Sequence, residues 1–145
     1  MRKEFWKNIP LNKLTQKEWE SLCDGCGKCC LNKFQKTKKS LPIYTSIACK
    51  FLNIKKCTCT VYKNRKKKRS DCLILSAENL EKTAKWLPQS CSYRLIFENK
   101  ELPEWHHLLN DKNKNVHNTN NSVRNFAINE KYIDFSDFLL SVKKI

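Results

Sequence analysis

A chain of 145 residues, 40% hydrophobic and 30% charged, with a net charge of +15, has the material for one folded domain with a real core. It lacks any uncharged apolar run approaching the ~18 residues that a membrane-spanning helix needs. Nine cysteines would make a disulfide framework only in an oxidising compartment, and the start Met1-Arg2-Lys3-Glu4-Phe5-Trp6 has no apolar stretch of the kind that directs secretion, so thiols in a cytoplasmic protein are expected.

Taken in chain order, the first element is a short helix over residues 15–22. Thr15 and Glu18 form a capping-box pattern, and Leu14, Trp19 and Leu22 are spaced to share one face. It leads into Cys23-Asp24-Gly25-Cys26-Gly27-Lys28-Cys29-Cys30, which holds four of the nine cysteines and both glycines. Several thiolates converge on one ion only if the backbone curls, and glycine supplies the positive φ that a curl requires. Cys23, Cys26 and Cys29 repeat as C-x-x-C-x-x-C, a spacing shared with the first three ligands of bacterial iron–sulfur ferredoxins, while any one C-x-x-C pair also suits zinc. The adjacent pair Cys29-Cys30 fits a disulfide framework poorly, because neighbouring cysteines bridge each other only with strain.

The stretch Leu41 to Ala48 predicts a short strand, with Pro42 confined to its start or to an edge. Cys49 follows, then Cys57 and Cys59, and a basic run from Lys63 to Arg69 ends just before Cys72; such a run reads first as a solvated loop. Ser76 is placed to cap a helix through Asn79, Leu80, Ala84 and Trp86 that Pro88 stops. A second helix is expected from about Cys91 to Phe97, and a third, short one over Leu102–Leu109 with Pro103 in its first turn. Six of the twelve residues from Asn110 to Asn121 are Asn, which predicts loop. Val123, Phe126 and Ile128 point to a strand, and Tyr132 to Leu140 to a closing amphipathic helix. With no repeat and no linker, a single domain over 1–145 is expected. Its fold class is small, cysteine-rich α+β, mostly α with short strands around a cysteine metal cage.

Of the 29 cationic residues only five are Arg, and Asn occurs 15 times. Lysine and asparagine rising together points to compositional drift more than to base reading, which favours arginine forks. Lys28, Lys33 and Arg65 are placed to offset thiolate charge. Trp19, Trp86 and Trp105 read as core residues that keep water from a metal, and His106 and His107 as surface or packing groups, with His117 weaker still. Cys57 is the first candidate for a thiol that is simply buried. With both glycines inside the cysteine segment, a phosphate-cradling loop is all but excluded, and no Ser/His/Asp set or carboxylate pair is recognisable.

Four segments carry a resemblance: Glu18-Trp19-Glu20-Ser21-Leu22-Cys23 through Cys30; Ala48-Cys49 to Tyr62-Lys63-Asn64-Arg65; Trp86-Leu87-Pro88-Gln89-Ser90-Cys91-Ser92-Tyr93-Arg94-Leu95; and Leu102-Pro103-Glu104-Trp105-His106. Together they resemble bacterial YcgN-type proteins, within the wider CxxCxxCC family described as zinc- or iron-chelating. The likeness covers nearly the whole chain. It implies metal-binding roles for Cys23, Cys26, Cys29, Cys30, Cys49, Cys59 and Cys72, with Cys57 peculiar to the YcgN branch. The sequence departs from the family at His107, where a proline is usual, at Asn99, where a loop glycine is usual, and at Asn125, where relatives tend to have histidine.

With Cys91 added, eight thiols remain, enough for two four-sulfur sites or one cluster with spare ligands. The expected function is a cytoplasmic protein that holds zinc or an iron–sulfur centre through clustered cysteines. Two alternatives stand beside it: a zinc-stabilised nucleic-acid-binding module that uses Lys63 to Arg69 against phosphates, and a metal-dependent redox enzyme with His106 near the metal.

Overall fold

The structure, a computed structural model, describes residues 1–109 and 113–145. Among the described residues the α-helices are α1 (Phe5–Asn8), α2 (Gln16–Ser21), α3 (Arg65–Lys68), α4 (Leu80–Thr83) and α5 (Ser92–Phe97), with short 3-10 segments elsewhere along the chain. The strands are β1 (Leu31–Phe34), β2 (Ile43–Ala48), β3 (Leu52–Asn53), β4 (Thr58–Cys59) and β5 (Ile128–Asn129). The mixed α+β class expected from the sequence is therefore present. The chain divides into two compact units, one of Met1–Asp24 with Leu75–Thr119 and the other of Gly25–Ile74 with Asn120–Ile145.

In the first unit, α2 starts as its sequence dictates. The Thr15 hydroxyl accepts from the Glu18 amide at 3.3 Å, and the Glu18 carboxylate accepts from the Thr15 amide at 2.9 Å, which satisfies two orphan donors of the first turn. The side chain that turns inward from this helix is Glu18, 1% exposed, while Trp19 is half-buried. Arg2 makes that burial tolerable by donating its Nε to Glu18 Oε1 at 2.9 Å and its Nη2 to Oε2 at 2.5 Å. Trp86 and Trp105 are likewise half-buried, so the tryptophans expected as core residues lie at its margin. Phe5, Leu22, Leu80, Ala84, Leu87, Leu102 and Leu108 are buried instead.

The helix expected after Ser76 begins only at Leu80, because the Asn79 side chain accepts from the Ser76 amide at 2.9 Å and closes a turn ahead of it. The one from Cys91 forms as expected, with Cys91 at the N-cap. It ends at Asn99, whose φ of 55° lets the Lys100 amide reach back to the Leu95 carbonyl at 2.8 Å. Asparagine tolerates that left-handed geometry, which explains how it stands in for glycine. The helix expected over Leu102–Leu109 is replaced by isolated turns and a 3-10 segment at His107–Leu109, because Trp105 and His106 turn their side chains to partners elsewhere in the unit. Residues 110–112 of the expected Asn-rich loop lie outside the described residues, and 113–121 form turns.

The second unit is built on a sheet in the order β1-β2-β5, antiparallel between β1 and β2 and parallel between β2 and β5. β2 starts immediately after Pro42, where the missing N–H costs no ladder bond. Register pairs Leu31 with Ala48 and Phe34 with Ile43, with an irregularity between Leu31 and Lys33. β3 and β4 form a small antiparallel hairpin, Leu52 opposite Cys59. Leu31, Tyr44, Ala48, Leu52, Cys57 and Val123 are its buried core, with Cys30, Ile54, Phe126, Ala127 and Ile145 packed against them. Each fully buried aliphatic side chain of this set contributes about 1.5–3 kcal/mol. The strand expected near Ile128 is two residues long, and the expected closing helix is replaced by 3-10 turns at Glu130–Tyr132, Phe135–Asp137 and Leu139–Ser141.

Candidate metal centre

Gly25 and Gly27 have φ of 76° and 75°, the left-handed geometry that the cysteine segment was expected to need. Gly27 caps a 3-10 turn at Lys28–Cys30, closed by the Cys30 amide on the Gly27 carbonyl at 3.0 Å. This turn delivers Cys29 and Cys30 to the start of β1. The Cys49 amide then donates to the Cys30 carbonyl at 2.9 Å, and the Leu52 amide to the Cys49 carbonyl at 2.9 Å. Cys59, opposite Leu52 in the hairpin, arrives through the same ladder. Cys72 is reached from the basic run: Lys66 Nζ donates to the Ser70 carbonyl and, at 3.3 Å, to the Cys72 carbonyl.

Electrostatics tie these thiols together. A hydrogen bond to the Cys29 sulfur, burial, and the charges of Cys29, Cys59 and Cys49 push the Cys30 thiol well above its ordinary range. Burial pushes Cys72 up as well; the Arg65 charge opposes this, and Cys59, Cys29 and Cys49 add to it. Five thiols, Cys29, Cys30, Cys49, Cys59 and Cys72, are therefore within electrostatic reach of one another. Lys33 stands beside them, donating to the Cys29 carbonyl at 2.8 Å with its ammonium 5.1 Å from the Tyr44 ring centre. Burial lowers its affinity for the proton, against the opposing charges of Cys29, Cys30 and Cys72. The expected cationic neighbours Lys33 and Arg65 are thus in place.

None of the nine cysteines is in a disulfide. Cys57 is buried, as expected of it, with its sulfur 3.3 Å from the Ile54 carbonyl. Cys26 lies in the second unit, held by the Val123 amide on its carbonyl at 2.9 Å. Cys23 and Cys91 belong to the first unit, at the end of α2 and the N-cap of α5. Among the described residues, no group of three or more Cys, His, Asp or Glu side chains stands in an arrangement that could hold a metal ion. The donor chemistry of the five thiols nevertheless fits a thiophilic ion.

His106 is not at the surface. It is 1% exposed, its Nε2 lies 3.0 Å from the Leu22 carbonyl, and its Nδ1 accepts from the Leu108 amide at 3.1 Å. The ring is therefore the neutral Nε2–H tautomer, and burial keeps its pKa down. With both nitrogens engaged, His106 orients the carbonyl just ahead of Cys23 and has no lone pair for an ion. Trp105 Nε1 donates to Asp24 at 3.1 Å and fixes the residue just after Cys23. His107 is exposed and stacks on His106.

The sequence did not single out Arg69, Glu130 and Asn32. Arg69 Nη1 donates to both Glu130 oxygens at 2.8 and 3.0 Å, and Nη2 to Asn32 at 2.8 Å. The only sequence signal was the place of Arg69 in the basic run.

At 44% identity over 138 residues, 94% of this chain and 90% of the relative, the protein is similar to UPF0260 protein YcgN of Escherichia coli K12, and to YcgN of Shigella flexneri to the same extent. It is 44% identical over 127 residues to UPF0260 protein GOX1406 of Gluconobacter oxydans, covering 88% of this chain and 77% of that protein. The chain belongs to the UPF0260 family. The YcgN-type resemblance read from its motifs is thus met by relatives that match most of its length. No family model and no solved structure matches it. The names of these UPF0260 relatives state no activity, so the chemistry of the family has to be argued from the thiols. No helix among the described residues is long and apolar enough to cross a membrane.

Proposed function

We propose that the protein binds a thiophilic metal, as zinc or as an iron–sulfur centre, with Cys29, Cys30, Cys49, Cys59 and Cys72 as the thiols that carry it. Cys26 supports them from the same glycine-containing segment; Cys23 is assigned by spacing and resemblance, and Cys91 is added to complete the eight thiols. The observation that carries the proposal is the convergence of cysteine-bearing segments: the Cys49 amide bonds the Cys30 carbonyl, the Leu52 amide bonds the Cys49 carbonyl, and Cys59 pairs opposite Leu52. Thiols gathered at this density cannot all ionise beside one another; a bound cation reverses that penalty by turning each thiolate charge from a repulsion into an attraction. Lys33, Arg65 and Arg69 offset part of the negative charge a multi-thiolate site carries. Zinc would hold the strands together as a structural ion, and an iron–sulfur centre would add one-electron chemistry. Either requires the thiols to reorient, which the exposure of Cys29 permits by side-chain rotation.

The test is anaerobic purification followed by an absorption spectrum and elemental analysis. Iron with acid-labile sulfide, or zinc in stoichiometric amount, is the expected result; isolation with neither would overturn the proposal. The nucleic-acid alternative is less well supported, because the basic run is partly consumed within the chain. Arg65 lies 3.9 Å over the Tyr62 ring and donates to its carbonyl, Lys66 serves the Cys72 loop and Arg69 pairs with Glu130.

A further inference from the structure

Arg69 is the hub of a polar network in the second unit that reaches three of the thiol-bearing segments. Its Nη1 grips both oxygens of Glu130, its Nη2 donates to Asn32 at 2.8 Å, and its Nε donates to Asp71 at 3.0 Å. Asn32 closes the circuit with Nδ2 on Glu130 Oε2 at 3.0 Å, and the Lys50 amide donates to Glu130 Oε1 at 2.9 Å. Asn32 lies two residues after Cys30, Lys50 one after Cys49, and Asp71 one before Cys72. The Arg69 charge also acts on Cys49: burial pulls the guanidinium down, but the interactions with Glu130 and Cys49 outweigh it and push it up. Exposed ion pairs contribute little, but a forked, partly buried arginine with satisfied partners is the exception, and lysine cannot reproduce it.

We propose that Arg69, locked by Glu130, is a positioning residue of the thiol centre: it holds the neighbours of Cys30, Cys49 and Cys72 in place and sets a permanent positive charge against the Cys49 sulfur. The inference rests on the metal-binding proposal above and deepens it. Groups that hold and polarise metal ligands from behind characteristically change metal affinity by roughly 10–100-fold when removed. Without the guanidinium the centre also loses a cation that favours its reduced, more negative state, so the reduction potential of an iron–sulfur form falls.

The experiment compares wild type, Arg69→Gln, Arg69→Lys and Glu130→Gln. Each is loaded anaerobically with zinc alone or with ferrous iron and sulfide, then challenged with a competing chelator; amide exchange at Lys50 is followed in the metal-free chain. The expected result is weaker retention, by roughly 10–100-fold, in Arg69→Gln, with a partial loss in Arg69→Lys, which keeps the charge without the fork, and in Glu130→Gln, which keeps the arginine without its lock. Lys50 exchange should quicken in Arg69→Gln and Glu130→Gln. A wild type that loads stoichiometrically beside variants that retain metal equally well overturns the role of Arg69 and leaves metal binding standing. A wild type that loads with neither metal overturns both. Should Arg69→Gln fail to fold, Glu130→Gln decides, and retention equal to wild type there overturns the inference.

Discussion

Gly25 and Gly27 share a left-handed backbone, yet a side chain added at each would meet different surroundings. A Cβ on Gly25 has nothing within 4 Å, whereas one on Gly27 would stand 2.8 Å from Val123 Cγ2 and 3.5 Å from Cys57 Cβ. Val123 is 0% exposed and cannot swing away. Gly25→Ala therefore carries only the backbone strain, about 1 kcal/mol, while Gly27→Ala adds overpacking and should cost about 2–4 kcal/mol. Urea unfolding measures the difference; equal midpoints for the two variants would show that Val123 yields. At this scale the cysteines, the glycines and the cations Lys33 and Arg65 were legible, because sulfur spacing and nearby charge are local properties of the chain. Arg69 was not, since its partners Asn32 and Glu130 lie 37 and 61 positions away and nothing in a basic run marks which member will turn inward. For His106, read as a surface or packing group, the sequence left the choice open for a similar reason: its acceptor, the Leu22 carbonyl, is 84 positions off.

Elements this short do not hold by propensity. A helix of six residues such as α2 is far below the length at which an isolated helix is stable, so its caps and tertiary partners decide. Glu18 serves the Thr15 amide and Arg2 together. The Arg2 hydrogen bond first, then the Thr15 amide, hold its carboxyl far below the ordinary value of 4.5. A carboxylate with a depressed native pKa contributes stability that is complete above its unfolded value and is lost as pH falls through the native one. Wild type and Glu18→Gln should thus differ clearly in melting temperature at about pH 7, and the gap should narrow progressively once the pH falls below the ordinary carboxyl value of 4.5; a gap that stays constant as the pH is lowered would remove Glu18 from this role. The capping box made α2 legible, and the apolar run after Pro42 did the same for β2. β3 and β4 were not, because two residues carry no periodicity. The helices expected over Leu102–Leu109 and Tyr132–Leu140 failed for a third reason: at the first, Trp105 and His106 spend their side chains on Asp24 and Leu22, and long-range contacts override local pattern.

On the scale of the molecule, the two units differ in how they are held. The first buries Phe5, Leu22, Leu80, Leu87 and Leu102 and adds the capping box of α2. The second holds seven cysteines, Cys26, Cys29, Cys30, Cys49, Cys57, Cys59 and Cys72, strands of two to six residues and a core cluster that counts a cysteine and an alanine among its six buried members. Cores this small rely on staples, and here the staple is the proposed metal. Removing it with a chelator should therefore act unevenly. Amide protection should fall at Cys49 and Leu52 and along β2, while helical amides of the first unit, those of Trp19 and Leu95, which bond the Thr15 and Cys91 carbonyls at 2.9 Å, keep theirs. Hydrogen exchange read by residue separates the outcomes. Protection unchanged throughout would mean that the second unit stands without metal.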